Sequence, residues 1–339
     1  MTRALIEALV RKTLRDMKDS PERSMRNFID LGVHFTDGRF KDEFLKSVQE
    51  LLQDENSAYY KLATDAINHT DHENLLTFGM NVCYDSCTKG AETIRRIEAS
   101  DGFNIPWTLY LKINDNDYAR WKPIYEKAIT QGKKLGIHTY LLFSSAHHEQ
   151  LLPLIKNNKN CAFVLLCKPE TITEKLLDEL VGYNNLMLCV EFCEETDETA
   201  RAAALLRKRN MLYSVYIKYN DETAHRITED YPWCETEVLH TPLTVTIPSA
   251  SCSEATRNAV YKTAYTVRNA QKYATVPWDG YTDNRFIDSV ISEDSLMAGF
   301  DEQGYLHTVD GCQREDALNL CKTELRDILE RAFPKRTLG

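Results

Sequence analysis

Cys83 and Cys87 stand four residues apart in the run Cys83-Tyr84-Asp85-Ser86-Cys87-Thr88-Lys89-Gly90. Paired thiols at this spacing are metal-ligand candidates, because thiolates are the protein ligands of iron–sulfur clusters. A helix beginning near Thr88 would set both at its N-terminus, where the helix dipole favours the thiolate. Two ligands do not complete a site. In the spacing C-x3-C-x2-C the third cysteine falls at position 90, and there the chain has glycine. The bland reading is a pair of half-buried thiols in a chain with ten cysteines.

A second set of polar residues gathers where apolar runs end: Asn114, Asp115 and Asp117, then Ser144, Ser145, His147 and His148, then Lys168, Glu191 and Glu194, and last Lys218, Tyr219, Asn220 and Asp221. If the runs are parallel strands of a barrel, this is the rim where such folds keep their chemistry. Asn114, Asp115, Ser144, Glu191 and Lys218 are therefore ligand- or cofactor-binding candidates. Glu191 interrupts an apolar run, and an acid there needs a function or a salt-bridge partner. The rim acids suit a divalent ion, but no H-x-H or H-E-x-x-H spacing accompanies them. His147-His148-Glu149 reads as a polar helix start. Lys168, before Pro169, holds the place of a Schiff-base lysine, a role that needs a lowered pKa.

Cys189 and Cys193 repeat the four-residue spacing along an expected strand, which puts them roughly 13 Å apart and makes them core thiols. Tyr213, Tyr216 and Tyr219, with Trp278 and Tyr281, form two aromatic concentrations suited to stacking or to interdomain packing. G-x-S-x-G and Walker sequences are absent, which disfavours a serine hydrolase or a P-loop enzyme.

The elements that must position these residues change character along the chain. Leu5, Ile6, Leu9, Val10 and Leu14, and later Phe44, Leu45, Val48, Leu51 and Leu52, recur at helical spacing. Gly32 and Gly38 punctuate a loop between them. From residue 75, short apolar runs predict strands at Leu75–Val82, Trp107–Ile113, Ile137–Phe143, Cys161–Cys167, Leu186–Phe192, Leu212–Ile217 and Leu243–Ile247. Helical segments separate most of them, at Tyr118–Leu135, Glu149–Asn157, Thr171–Leu180 and Thr196–Arg209, with Gly136 and Gly182 as stops. Nearly continuous apolar strands are those of a parallel sheet covered on both faces. The expected fold is α/β: a partial or full (β/α) barrel of about six to seven parallel strands. An open sheet is the alternative, but no G-x-G-x-x-G follows a strand. A helix over Ser253–Tyr273, an aromatic turn at Pro277–Tyr281, a hairpin turning at Asp301–Gly304 and a helix over Asp316–Phe333 complete the chain. The domains are then 1–74, an N-terminal helical segment; 75–249, the barrel; and 250–339, a small C-terminal appendage.

Bulk properties narrow the setting. The 339 residues are 43% hydrophobic and 27% charged, with a net charge of −10. That balance excludes a general nucleic-acid binder, which needs clustered cations. No apolar run approaches the ~20 residues of a membrane span, and Met1–Ile6 has no signal-peptide pattern. The expected location is cytoplasmic, where cysteines stay reduced.

The Cys83–Cys87 run after an expected strand, followed by about six βα units, resembles the radical S-adenosylmethionine superfamily. The tail Asp301-Glu302-Gln303-Gly304-Tyr305-Leu306…Cys312 is similar to the opening of SPASM-type auxiliary-cluster domains. Phe78-Gly79-Met80-Asn81 and Gly102-Phe103-Asn104-Ile105-Pro106-Trp107 resemble segments of radical-S-adenosylmethionine-like proteins of anaerobic bacteria. The resemblance implies a [4Fe–4S] cluster at Cys83 and Cys87, S-adenosylmethionine as cofactor, and auxiliary metal ligands at Cys312 and Cys321. The chain departs from that pattern at Gly90, at Asn114-Asp115 where the superfamily often has Gly-Gly-Glu, and in having only two tail cysteines. Together these departures favour a degenerate member that binds a small molecule, a peptide or a protein partner at the strand C-terminal ends, without standard cleavage activity. Two alternatives stand beside it. One is an active iron–sulfur enzyme taking its third ligand from Cys234 or Cys252; the other is a metal-dependent barrel enzyme using the acidic rim.

Overall fold

The computed structural model describes residues 2–18, 20–35, 40–193, 197–229, 231–292 and 294–335. Its strands, in chain order, are β1 (Thr108–Lys112), β2 (Thr139–Phe143), β3 (Ala162–Cys167), β4 (Leu186–Glu191), β5 (Tyr213–Tyr219), β6 (Leu243–Pro248), β7 (Val276–Asp279), β8 (Gly299–Phe300), β9 (Leu306–Thr308) and β10 (Gly311–Cys312). The α/β class holds, with N-terminal helices preceding parallel strands. The chain divides into two compact units, one of residues 1–76 and 167–284, the other of 77–166 and 285–339.

In the first unit β4, β5, β6 and β7 lie side by side and parallel, with Glu191 opposite Tyr216, Tyr216 opposite Val245 and Val245 opposite Trp278. Side chains from β5 and the helices after it, among them Ile217, Tyr219, Ile227, Trp233, Val260 and Tyr273, make a core cluster. The N-terminal helices belong to this unit through specific bonds. Asn74 donates to the carbonyls of Asn184 and Leu186 and accepts from Leu212 N. Asp65 takes a two-pronged pair from Arg207 at 2.6 Å on both oxygens.

The second unit orders its strands β10-β9-β8-β1-β2-β3. β8, β1, β2 and β3 run parallel, and β9 and β10 fold back as an antiparallel meander. Phe103, Ile105, Leu109, Leu111, Ile129, Ile137 and Leu142 are wholly buried in it. Asp301 to Gly304 forms the expected turn, closed by Gly304 N donating to Asp301 O at 2.9 Å.

Four expectations are corrected. The run Leu75–Val82 is not a strand: His72–Met80 is α-helical and continues as a π-helical stretch, Asn81–Gly90, into the helix Ala91–Asp101. Leu76 and Met80, four apart, are both nearly fully buried, which is helical periodicity hidden in a run short enough to read either way. Asp71 begins the helix by accepting from the backbone N–H groups of Glu73 and Asn74. Pro277–Tyr281 is not only a turn, because β7 runs through it as the outermost strand, where proline's missing donor is tolerated. Gly32 lies inside the helix Pro21–Phe35; Gly38 falls outside the described residues. The terminal helix is shorter than expected, a 3-10 turn at Asp316–Leu318 and then Leu325–Ala332. Among the described residues no helix is long and apolar enough to cross a membrane.

Candidate functional site

The Cys83–Cys87 segment is built by its neighbours at the N-terminal side of β2 and β3. Asn81 Nδ2 donates to Lys159 O and Cys161 O at 2.8 and 2.9 Å. Ser86 Oγ bonds Asn81 O at 3.0 Å and Thr139 Oγ1 at 2.8 Å. Thr139 opens β2 and Cys161 immediately precedes β3, so the two cysteines stand at the opposite end from the strand C-termini. Cys83 is exposed and Cys87 buried. Burial, with Cys83 close by, pushes the Cys87 thiol well above its usual range, so without a metal it is a neutral thiol.

Gly90 is fixed by packing. A Cβ built on it runs into the carbonyl oxygen of Gly136 and comes within 2.8 Å of Asp85 O. The reciprocal Cβ on Gly136, whose φ is +97°, lies 2.6 Å from Gly90 O. The backbones meet directly here, and a side chain at position 90 would force one of them to move. A three-cysteine cluster with a ligand at that position does not fit these residues. Neither cysteine joins a group of three metal-binding side chains close enough to share one ion, among the described residues.

Of the rim candidates in the same unit, Asn114, Asp115 and Ser144 are brought together. Asn114 caps the turn that follows β1, its Oδ1 accepting from Asp117 N at 3.1 Å. Asp115 accepts from Ser144 Oγ at 2.7 Å, Ser145 N at 2.7 Å, Ser145 Oγ at 2.9 Å and Ala146 N at 3.2 Å. Ser144 Oγ also lies 2.9 Å from His148 Nδ1. Serine, acid and imidazole thus touch, but in the wrong order for a nucleophile: the hydroxyl sits between acid and base, and its proton goes to Asp115. His148 is 2% exposed, and burial lowers its pKa. This is a loop clamp. His147, by contrast, faces outward with φ +54°, as expected of neighbouring residues that point different ways.

Glu191 and Lys218 are brought together in the first unit, at the C-terminal ends of β4 and β5. Lys218 Nζ lies 3.0 and 3.2 Å from the two oxygens of Glu191, and Tyr216 OH donates to Glu191 Oε2 at 3.1 Å. Tyr216 and Lys218 project from the same side of β5, as residues two apart must. Burial and the Glu191 charge push the Tyr216 hydroxyl far above its usual range, which keeps it a donor. Beside this trio opens a cleft of about 480 Å³ lined by Lys168, Glu170, Glu198, Arg226, Cys193 and Ile217, among others. Thr199 Oγ1 pins the chain beyond β4, accepting from Cys193 N and donating to Glu191 O, both at 3.0 Å.

Of the remaining rim residues, Asp221 serves the scaffold and Lys168 stands on the cleft wall. Asp221 is held down to about 2 by the hydroxyls of Thr256 and Ser253, and it caps the helix Glu254–Ala270 through Ser253 N. Lys168 pairs with Glu170 at 3.8 Å. Glu194 falls outside the described residues. Cys189 is a core thiol, pushed up to about 12 by burial. Sequence alone does not single out Arg226 and Glu198; their signal is position, Glu198 opening a helix after β4 and Arg226 in the single turn His225–Thr228 after β5. Cys312 lies directly opposite His307 in the β9–β10 register, whereas Cys321 is exposed and lies against Gly304, at the end of the Asp301–Gly304 turn, outside the group that Asp301, His307 and Cys312 form.

No protein-family model matches this chain, and no curated protein sequence matches it. Among solved structures it is similar to SuiB of Streptococcus suis, at 8% identity and a TM-score of 0.45, over 79% of this chain and 70% of that one. It is also similar to native anSMEcpe with bound AdoMet, at 10% identity and a TM-score of 0.42, over 68% of this chain and 84% of that one. Both neighbours are radical S-adenosylmethionine enzymes. Likeness at this level does not assign the chain to their family and carries over none of their residues.

Proposed function

We propose that this protein binds a small zwitterionic molecule, an amino acid or short peptide in chemical class, in the cleft at the ends of β4 and β5, and that its Cys83–Cys87 segment holds no cluster. The carrying observation is Glu191 fixed between Tyr216 OH and Lys218 Nζ at the cleft wall. A cleft of this volume suits a small ligand, since such sites span about 300–1,000 Å³. Its ionic lining is balanced, Lys168, Lys218 and Arg226 against Glu170, Glu191 and Glu198, over apolar Phe192, Ile217 and Ile227. A ligand carrying one charge of each sign satisfies such a wall without leaving a desolvated charge unpaired. For the cysteine segment, the support is the backbone contact that closes position 90.

Calorimetric titration with α-amino acids, dipeptides and S-adenosylmethionine tests the cleft. At least one zwitterion is expected to bind, with affinity falling tenfold or more in Glu191→Gln and Arg226→Ala, while simple monoanions do not bind. Binding by no member of the panel, or binding untouched by both substitutions, refutes the reading. Iron and sulfide analysis of anaerobically prepared, iron-replete protein tests the cysteines. A stoichiometric cluster that disappears in Cys87→Ser overturns the second half of the proposal.

A further inference from the structure

The β8–β9–β10 meander brings three different metal-binding groups to one point. Asp301 follows β8, His307 lies in the middle of β9, and Cys312 ends β10 directly across from His307. Directly opposed residues of an antiparallel pair put their side chains on the same face within contact distance. One ligand atom from each of the three falls within 4.8 Å of the other two. His307 Nε2 is 3.7 Å and Cys312 Sγ 3.8 Å from the same carboxylate oxygen, Asp301 Oδ2.

We propose that Asp301, His307 and Cys312 bind one divalent transition-metal ion of the zinc class, leaving a fourth position for water or a ligand. Three features support it. A tetrahedral ion with metal–oxygen and metal–nitrogen distances of about 2.0 Å and metal–sulfur of about 2.3 Å sets ligand-to-ligand edges of roughly 3.3–3.6 Å. The two separations from Asp301 Oδ2, 3.7 and 3.8 Å, exceed those edges by a few tenths of an ångström and are long for strong direct hydrogen bonds, while the ligand atoms of His307 and Cys312 lie within 4.8 Å of each other. Secondly, His307 Nε2 is a buried nitrogen with no hydrogen-bond partner, an unfavourable state that an ion at this point relieves. Thirdly, Asp301 is already oriented: its Oδ1 accepts from Gln303 N and Tyr305 N, both at 2.9 Å, which turns Oδ2 toward the other two groups. Such outer bonds are what hold metal-ligating carboxylates in place.

The donor set selects the ion. Thiolate and imidazole together suit zinc, cobalt and related ions, while magnesium and calcium prefer all-oxygen cages. On binding, the Cys312 thiol releases its proton to solvent, and aspartate and thiolate neutralise the two charges of the ion. Arg314, 3.6 Å from Asp301 Oδ2, is an exposed side chain held by Gln303 Oε1 at 2.8 Å and over the Tyr305 ring, and it stays outside the group of three ligands. This donor set differs from that implied by a cluster on Cys312 and Cys321, because Cys321 takes no part.

Titration of the full chain with Co2+ under reducing conditions reads the site directly. One equivalent is expected to bind, giving a thiolate-to-cobalt charge-transfer band and the intense visible bands of a tetrahedral ion, both displaced by Zn2+. Cys312→Ser should abolish the charge-transfer band and His307→Asn should weaken Zn2+ binding more than about tenfold. Cys321→Ser, Cys83→Ser and Cys87→Ser should leave both unchanged. Wild-type protein should also melt at a higher temperature with excess Zn2+, since an ion bound only by the folded state stabilises it; this readout needs no variant to fold. Absence of stoichiometric binding, or a charge-transfer band that survives Cys312→Ser, overturns the proposal.

Discussion

Replacing Gly90 with alanine tests whether position 90 is a lost ligand site or a packing contact. The added Cβ would sit 2.8 Å from Asp85 O and nearer still to Gly136 O, against the ~3.5 Å or more of a comfortable contact. Both opposing atoms are main chain, so neither can rotate away. Relief from Gly136 requires the segment Asn81–Gly90 to move off the residues that precede β2, straining the Asn81 and Ser86 bonds that hold it there, and relief from Asp85, in the same segment, requires the π-helical turn itself to open. Overpacking of this kind costs about 1–3 kcal/mol, and the upper end applies where backbone blocks backbone. Gly→Ala inside a helix returns about 0.5–1 kcal/mol. The net loss is about 2 kcal/mol, or a melting point lower by ~4–8 °C for a unit of this size. Gly79 is the internal control. It lies in the preceding helix with nothing within 4 Å of its virtual Cβ, so Gly79→Ala should be neutral or stabilising. Urea and thermal unfolding followed by circular dichroism measure both variants. If Gly90→Ala is as stable as wild type, the close approach is not a constraint, and the exclusion of a third cysteine fails with it. The companion variant Gly90→Cys should lose stability similarly and gain no iron on anaerobic reconstitution.

Two further outcomes follow from buried charges. Arg268 and Asp283 meet in a two-pronged pair at 2.7 and 3.0 Å, with side chains only 15% and 5% exposed. Asp283→Asn leaves the guanidinium buried without its counter-charge and should cost about 3–5 kcal/mol in urea unfolding; a loss under about 1 kcal/mol would show that solvent reaches the pair. Asp288 is 2% exposed and accepts from Trp107 N at 2.8 Å. Burial, with Glu98 nearby, raises its pKa well above the ordinary carboxylate value. The native state therefore keeps a proton that the unfolded chain has already released, and this contribution to stability is lost as pH rises from about 4 toward the raised value. Asp288→Asn should match wild type near pH 4 and exceed it at pH 8, and a difference that does not change with pH would refute the assignment.

The βα rhythm was legible because buried parallel strands are written as compact apolar blocks. Six of the seven expected strands, from Trp107–Ile113 to Leu243–Ile247, correspond to β1 through β6. The seventh failed for a local reason. Leu75–Val82 has the composition of a strand, but Asp71 caps a helix and the side chains of Asn74 and Asn81 bond main-chain groups where β4 and β3 begin. Those bonds are long-range and leave no periodic trace. With the strand gone, Cys83 and Cys87 lost the framework that made them cluster ligands, and Gly90 proved to be a contact surface. Glu191 and Lys218 were visible as polar residues ending apolar runs, and they do meet. His307 was passed over because its pairing with Cys312 depends on a second turn, at Val309–Asp310, whose register no composition reveals.

The two compact units are interleaved along the chain, each made of two stretches with the other's residues between them. Asp65 and Asn74 find Arg207, Leu186 and Leu212 only after more than a hundred intervening residues have been made. At translation rates of about 5–20 residues per second, the first helices wait on the order of 10 s or longer for their partners. Until then their apolar faces are uncovered on the nascent chain. Neither unit can be produced as one continuous fragment, because a cut at any of the three boundaries between them parts one stretch of a unit from its other stretch.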